Sequence, residues 1–264
     1  MNITPLNARL FNQPIAITEA GLAELLQNGG LVTPRTPAGN VDEDYEHEPS
    51  PVRYVPVFGP ISKHLSREAT EDGWCSLDRV SALLKVCAQD PYCERVLMHY
   101  HTPGGMCIGG LEMFRQIREL DVIKPVVSFC DSVCGSLGLY FASAARRFYV
   151  TESAMVGAVG TRVEVLDVSE MLARVGIKAK CIKSGKFKDI GTQDRPMTGE
   201  EERLIQATVD RLGEEFRSAL LSQRNIARED MEGQLFGGIE AVVKGFADGT
   251  VDDLDEAVGL LMRL

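Results

Sequence analysis

Residues 126–150, VVSFCDSVCGSLGLYFASAARRFYV, hold the alternation on which the fold depends. VVSFC is a short β-branched and aromatic run that stops at Asp131-Ser132, the pattern of a buried strand. SLGLYFASAA is a run of small and apolar residues that reads as a helix, and RRFYVT is a second strand. The same grammar continues on both sides. RYVPVFGPI (53–61), ERVLMHYH (94–101) and KAKCIKS (178–184) read as further strands. LDRVSALLKVCAQD (77–90), GGLEMFRQIREL (109–120) and VSEMLARVG (168–176) read as helices. In the first of these helices Val80, Leu83, Leu84 and Cys87 fall on one face. Strands that alternate with helices across short loops predict an α/β fold with a largely parallel sheet. A long polar helix over 198–222 follows, opened by Thr198 with Glu201 three residues on, and it makes the C-terminal part a helical addition.

The chain has 264 residues, 44% hydrophobic and 25% charged, enough for a sizeable core. Its formal net charge of −10 argues against a nucleic-acid partner, because phosphate binding relies on clustered Lys and Arg. The seven cysteines are scattered and form no C-x-x-C pair, so neither a zinc ribbon nor a disulfide framework is expected, and the usage fits a reducing compartment. No apolar run reaches the length of a membrane span or a signal peptide. The expectation is a soluble, cytoplasmic protein without a membrane anchor. The first 51 residues form a preface: a short helix near Thr18–Gln27, then an acidic, Pro-rich stretch (33–51) that reads as a flexible linker. Residues 52–264 form one core domain.

Ser136 sits among glycines where a predicted strand gives way to a helix. There it is either an N-cap or an exposed nucleophile beside the unpaired amides of a helix start. CGSLG is not the G-x-S-x-G elbow, since position 134 is Cys, and all four histidines (47, 64, 99, 101) precede Ser136, unlike the order in α/β-hydrolases. His99 and His101 alternate on one strand and share a face, but with no Asp, Glu or Cys ligand beside them they make a thin metal site, and no metal is expected. Lysine is the other candidate base. Lys183, Lys186 and Lys188 surround a glycine turn in CIKSGKFKDI. A lysine is a base only when neutral, and lowering its pKa to near 7 takes roughly 4–5 kcal/mol of destabilisation of the ammonium, which burial can supply. The spacing alone leaves open which lysine, if any, is buried. In HTPGGMCIGG (101–110) the Gly-Gly turn brings backbone amides close to a ligand, as an oxyanion hole requires.

TPGG at 102–105, GSLGLYFASAA at 135–145, VGAVGT at 156–161, IKSGKFKD at 182–189 and the late FGGIEAVVKGFADG at 236–249 occur in the order seen in the S49 peptidases, and the chain resembles that family from about Tyr54 to Leu261. The family includes signal peptide peptidase A, protease IV and capsid maturation proteases of tailed phages. The resemblance implies a Clp protease/crotonase-like fold of repeated β-β-α units. It also implies a Ser-Lys dyad without a cofactor: Ser136 as nucleophile and Lys188, 52 residues later in S-G-x-x-K, as base. Amides of Gly104 or Gly105 and of Leu137 would bind the oxyanion. A substrate peptide would add as a strand beside 104–108 and 158–162, with a small or apolar residue before the scissile bond. Where family members often carry a serine that steadies the lysine, this chain has Ala158, so the resemblance leaves that task to Thr161, Thr192 or water.

The opening ARLFNQPIAITEAGLAELL resembles the preface of phage head-maturation proteases. The implied substrates are then scaffold and capsid polypeptides in a host-cell procapsid, and the implied assembly is a homo-oligomer, for which the amphipathic 200–222 helix offers a face. A cytoplasmic housekeeping peptidase of the same family is the nearest alternative. An acyl-CoA enzyme of the crotonase group would leave Ser136 without a purpose, and a catalytically dead assembly protein is supported only by Ala158.

Overall fold

The computed structural model describes residues 15–17 and 50–264. The preface helix near Thr18–Gln27 and the acidic stretch up to residue 49 lie outside the described residues. In chain order the strands are β1 (Ile15–Ile17), β2 (Val52–Phe58), β3 (Ile61–Ser62), β4 (Cys75–Ser76), β5 (Arg95–His101), β6 (Gly104–Met106), β7 (Val126–Cys130), β8 (Val133–Gly135), β9 (Arg147–Val150), β10 (Met155–Gly157), β11 (Leu235–Gly237) and β12 (Gly249–Thr250). The helices are α1 (Arg67–Glu71), α2 (Leu77–Gln89), α3 (Gly110–Ile123), α4 (Leu137–Ala142), α5 (Ser169–Arg174), α6 (Gly199–Gln223), α7 (Gly238–Val243) and α8 (Leu254–Leu261).

Five strands in the order β12-β9-β7-β5-β2 form an all-parallel sheet. Its strands alternate between two cores, as a pleated strand must. Val96, Met98 and Tyr100 of β5 enter the large core beneath α2, α3 and α4, while Leu97, with Val127 and Phe129 of β7, packs against Val251, Ala257 and Leu261 at the C-terminal end. Covering both faces is what a parallel sheet requires. β2, β5 and β7 are each followed by a short strand outside the main sheet, and these short strands build two smaller sheets, β1-β6-β3-β4 and β11-β10-β8. The two small sheets carry the candidate site. The expected α/β class with a mainly parallel sheet is the one observed.

Local chemistry accounts for most boundaries. Ser76 accepts from the Arg79 amide at the start of α2, whose Leu77, Val80, Leu84 and Cys87 are buried. Thr198 and Glu201 form a reciprocal capping box at the start of α6. Two expectations are corrected. RYVPVFGPI is not one strand, because Gly59 turns left-handed (φ 84°) and its amide bonds to His101 O at 2.8 Å, which separates β2 from β3. KAKCIKS is no strand at all. Among the described residues no strand runs beside it, and its residues are exposed. From Gly160 to Glu200 no position is buried.

The helix that follows the serine is packed throughout, with Leu137 to Ala142 all buried and Leu139 fully so. Leu139→Ala should therefore cost about 2–5 kcal/mol of unfolding free energy, read from the shift in urea midpoint at constant slope.

Candidate active site

Three chain segments meet at Ser136. The first is the end of β5 with the turn into β6. Thr102 pairs with Cys134, its amide bonding to Val133 O at 2.8 Å and its carbonyl accepting from Gly135 N at 2.9 Å. The second is β8 itself, and the third is β10, which runs parallel to it with Gly157 opposite Gly135. Ser136 N donates to Gly157 O at 2.8 Å, and Ser136 O accepts from Tyr140 N at 2.9 Å. Both backbone groups of the serine are thus fixed, and they fix it at φ 50°, ψ −116°. Such a left-handed backbone at a residue with a Cβ stores about 1–3 kcal/mol. α4 can approach this turn because residue 138 is Gly: a Cβ there would lie 2.3 Å from Thr102 Cγ2.

The side chain of Ser136 caps nothing. Its residue is 1% exposed, and its Oγ has no hydrogen-bond partner among the described residues. A buried hydroxyl without a partner costs stability, so the N-cap reading of Ser136 does not hold. The neighbouring thiol is no rival nucleophile, since burial pushes the Cys134 pKa well above its ordinary value. All seven cysteines are free.

The two amide candidates of the Gly-Gly turn differ. Gly104, at φ 106°, donates its amide to Thr102 Oγ1 at 3.1 Å. Gly105 lies directly under β3, where a Cβ would come within 2.0 Å of Ile61 O. Leu137 N–H stands at the first position of α4, where helix amides lack an intrahelical acceptor. β6 is flanked on one side by β3 and on the other by β1, which runs antiparallel with Ile17 opposite Gly104 and Ile15 opposite Met106. The chain's own strand therefore occupies the edge at which a peptide is expected to add. Ala158 is also left-handed (φ 55°), and its amide bonds to Gln234 O at 2.6 Å.

The lysine loop is knitted to the start of α6 by charge. Lys183 and Arg195 both bond Asp189, and Lys186 bonds Glu200. Arg195 also reaches Glu201 at 2.5 Å, and the Arg195 hydrogen bonds, with the Thr198 amide, draw the Glu201 pKa down to about 2. Lys188 is exposed, and among the described residues its ammonium has no carboxylate or hydrogen-bond partner. The structure does not bring Ser136 and Lys188 into bonding contact. Thr161 Oγ1 donates to Val209 O at 2.8 Å and Thr192 Oγ1 to Asp194, so either hydroxyl could serve a lysine only as an acceptor.

His99 and His101 do share a face, and both hold the turn before β8. His99 lies between Tyr54 OH (2.7 Å) and Asp131 Oδ1 (3.0 Å), and His101 Nδ1 is 2.6 Å from Ser132 Oγ. Sequence reasoning did not find these contacts, because the partners are 31 to 45 residues away in the chain. Among the described residues no group of three or more His, Cys, Asp or Glu side chains could hold a metal ion, and no helix is long and apolar enough to cross a membrane.

The site is thus a serine on a strained strand-to-helix turn in an α/β frame, beside glycine-rich turns. The sequence signature of Peptidase family S49 matches residues 118–264, a span that includes both Ser136 and Lys188, and the chain belongs to that family. It is 31% identical over 178 residues to a protein of Methanocaldococcus jannaschii that is named as a protease, covering 65% of this chain and 57% of that one. It is 26% identical over 207 residues to the capsid assembly protease C of Escherichia phage lambda, covering 77% of this chain and 47% of the phage protein. A signal peptide peptidase SppA homologue of Enterococcus faecium is 26% identical over 172 residues, 62% of this chain and 49% of its own length. The chain thus spans about half the length of these relatives.

If Ser136 is held unbonded rather than as a cap, Ser136→Ala should raise the unfolding free energy by about 1 kcal/mol, since an orphaned hydroxyl is removed. Loss of a cap would instead lower it by about 0.5–2 kcal/mol. Urea unfolding of the two proteins separates the outcomes.

Proposed function

We propose that this protein is a serine endopeptidase that works through a Ser136–Lys188 dyad on a Clp protease/crotonase-like frame. The observation that carries the reading is the buried, uncapped hydroxyl of Ser136 on a left-handed backbone at the start of α4. Of the three lysines near the glycine turn, Lys188 is the one without a carboxylate partner, and a base must be free of such a partner to become neutral. Ser136 Oγ attacks the scissile carbonyl while neutral Lys188 takes its proton. The oxyanion is met by Leu137 N–H and a glycine amide of 104–105; Gly104 must first leave Thr102 Oγ1. Lys188 then gives the proton to the leaving amine, and water, deprotonated in turn by Lys188, releases the acyl group and restores Ser136.

Two changes separate the described conformation from that reaction. Lys188 must lose solvent and reach Ser136. A second copy of this chain packed on residues 160–200 supplies that burial, and the exposed Met171, Val175, Ile177 and Ile182 are the apolar surface it would cover. β1 must also leave the β6 edge so that a peptide can take its place as an antiparallel strand. The substrates that best fit are scaffold and capsid polypeptides of an assembling phage head, supported by the similarity to the lambda capsid assembly protease over 77% of the chain. The 31% identity to the archaeal protein favours a second reading, a cellular peptidase of the same family. A gene placed beside portal and capsid genes would decide for the first.

Purified protein, Ser136→Ala and Lys188→Ala are to be compared on casein and on a co-encoded scaffold protein. Cleavage by the unaltered protein alone, with both variants folded and at least about a hundredfold slower, is expected. Full activity in Lys188→Ala would remove the dyad. Proline placed singly at Ala16 and at Ile17 should speed peptide cleavage in at least one case, because one of the two amides faces β6 and proline has none to give. Unchanged or slower kcat/KM in both would mean that β1 does not stand in the way of the substrate.

A further inference from the structure

A pocket opens beside the serine, with about 330 Å³ of space including its mouth. Cys107, Leu137, Tyr140, Thr161, Glu215 and Phe216 form its walls. Its position follows from the chain. Cys107 lies just beyond β6, Thr161 lies beyond β10, and Leu137 is the residue after the nucleophile. Leu137 thus sets the pocket next to the place that a scissile carbonyl at Ser136 would take.

The walls are apolar but the polar atoms among them are unbalanced. Leu137, Phe216 and the Tyr140 ring are buried, and the Tyr140 and Phe216 rings meet edge to face at 5.1 Å. The Tyr140 hydroxyl is buried and has no hydrogen-bond partner among the described residues. Thr161 has already given its hydroxyl proton to Val209 O, so only its lone pairs remain. Glu215 adds a carboxylate. Burial first and then the Glu215 charge raise the Tyr140 phenol to about 12 and the Cys107 thiol to about 11, so both stay neutral and the carboxylate field reaches both. The other charges near Tyr140 are Glu112 and Arg115, of opposite sign. Arg211 approaches Glu215 at 3.8 Å, but its side chain is 67% exposed, and such a pair neutralises little. The Glu215 carboxylate is the one charged group in the wall, the lone pairs of Tyr140 and Thr161 are further acceptors, and the donors are the neutral Tyr140 hydroxyl and Cys107 thiol.

We propose that this pocket selects a lysine before the scissile bond: the aliphatic stem lies against Leu137 and Phe216, and the ammonium is received by Glu215 and Tyr140 as specificity-determining residues. The small or apolar residue implied by the family resemblance fills the stem region and leaves the acceptors unanswered. The proposal rests on the peptidase reading of Ser136. Its basis is charge complementarity, which a glutamate side chain at the same position would oppose.

The test uses full-length protein and peptides that differ only before the scissile bond, carrying lysine, norleucine, glutamine or glutamate. Cleavage is measured as kcat/KM with the unaltered serine, and binding by fluorescence anisotropy with Ser136→Ala, which keeps the pocket. Lysine should exceed norleucine by about tenfold or more in both assays, with glutamate weakest. Glu215→Gln should bring the lysine to norleucine ratio down to about unity, and Tyr140→Phe should lower it severalfold. Norleucine equal to or better than lysine overturns the proposal, as does a ratio unchanged by Glu215→Gln in a variant with an unaltered urea midpoint. Binding that discriminates without any cleavage keeps the pocket assignment and removes the peptidase reading. Cleavage without discrimination does the reverse, and no binding of any peptide overturns the pocket assignment.

Discussion

The backbone of Ser136 is the constraint around which the rest is arranged. Its amide is held by Gly157 and its carbonyl by Tyr140, so the residue is pulled from β10 on one side and from α4 on the other. Neither pull would suffice alone against a left-handed φ. The pairing of β8 with β10 supplies the first, and the burial of Leu139 and Phe141 in the main core supplies the second. The small sheets exist, in this sense, to deliver three loops to one point. Gly138 and Thr102 then bring the helix and the Gly-Gly turn into contact.

The second determinant is electrostatic and lies outside the core. Asp189, Arg195 and Glu201, with Lys183, tie the lysine loop to the capped start of α6. Lys188 is not part of this knot, and among the described residues no carboxylate pairs with it. Burial is what favours a neutral amine, so in the proposed mechanism activity is coupled to whatever covers the 160–200 segment. The same chain therefore holds a serine on a strained backbone, Ser136, and Lys188 on a separately tethered loop. In the proposed mechanism this arrangement makes catalysis depend on assembly or closure rather than on the isolated fold.

The parallel sheet and its helices were legible because periodicity reports burial. α6 begins at the capping residue that the sequence shows, Thr198. The failures have equally local causes. KAKCIKS has a strand-like composition, but a strand is defined by its neighbours and none lies beside it. The Gly-Gly turn is in fact β6, because the absence of a Cβ at Gly105 lets it slide under the Ile61 carbonyl. The sequence located Ser136 at a strand-to-helix junction but not its φ, which is set by residues 21 positions downstream. It also singled out His99 and His101 without their partners, since Asp131 and Ser132 are brought to them only by sheet order.

The central claim is that Ser136 is an activated nucleophile in this protein. The direct measurement is intact-mass spectrometry after treatment with a fluorophosphonate, followed by peptide mapping. One covalent phosphonyl adduct per chain is expected, on Ser136, with none on the denatured protein. Absence of an adduct on folded protein, or an adduct on a different serine, would contradict it.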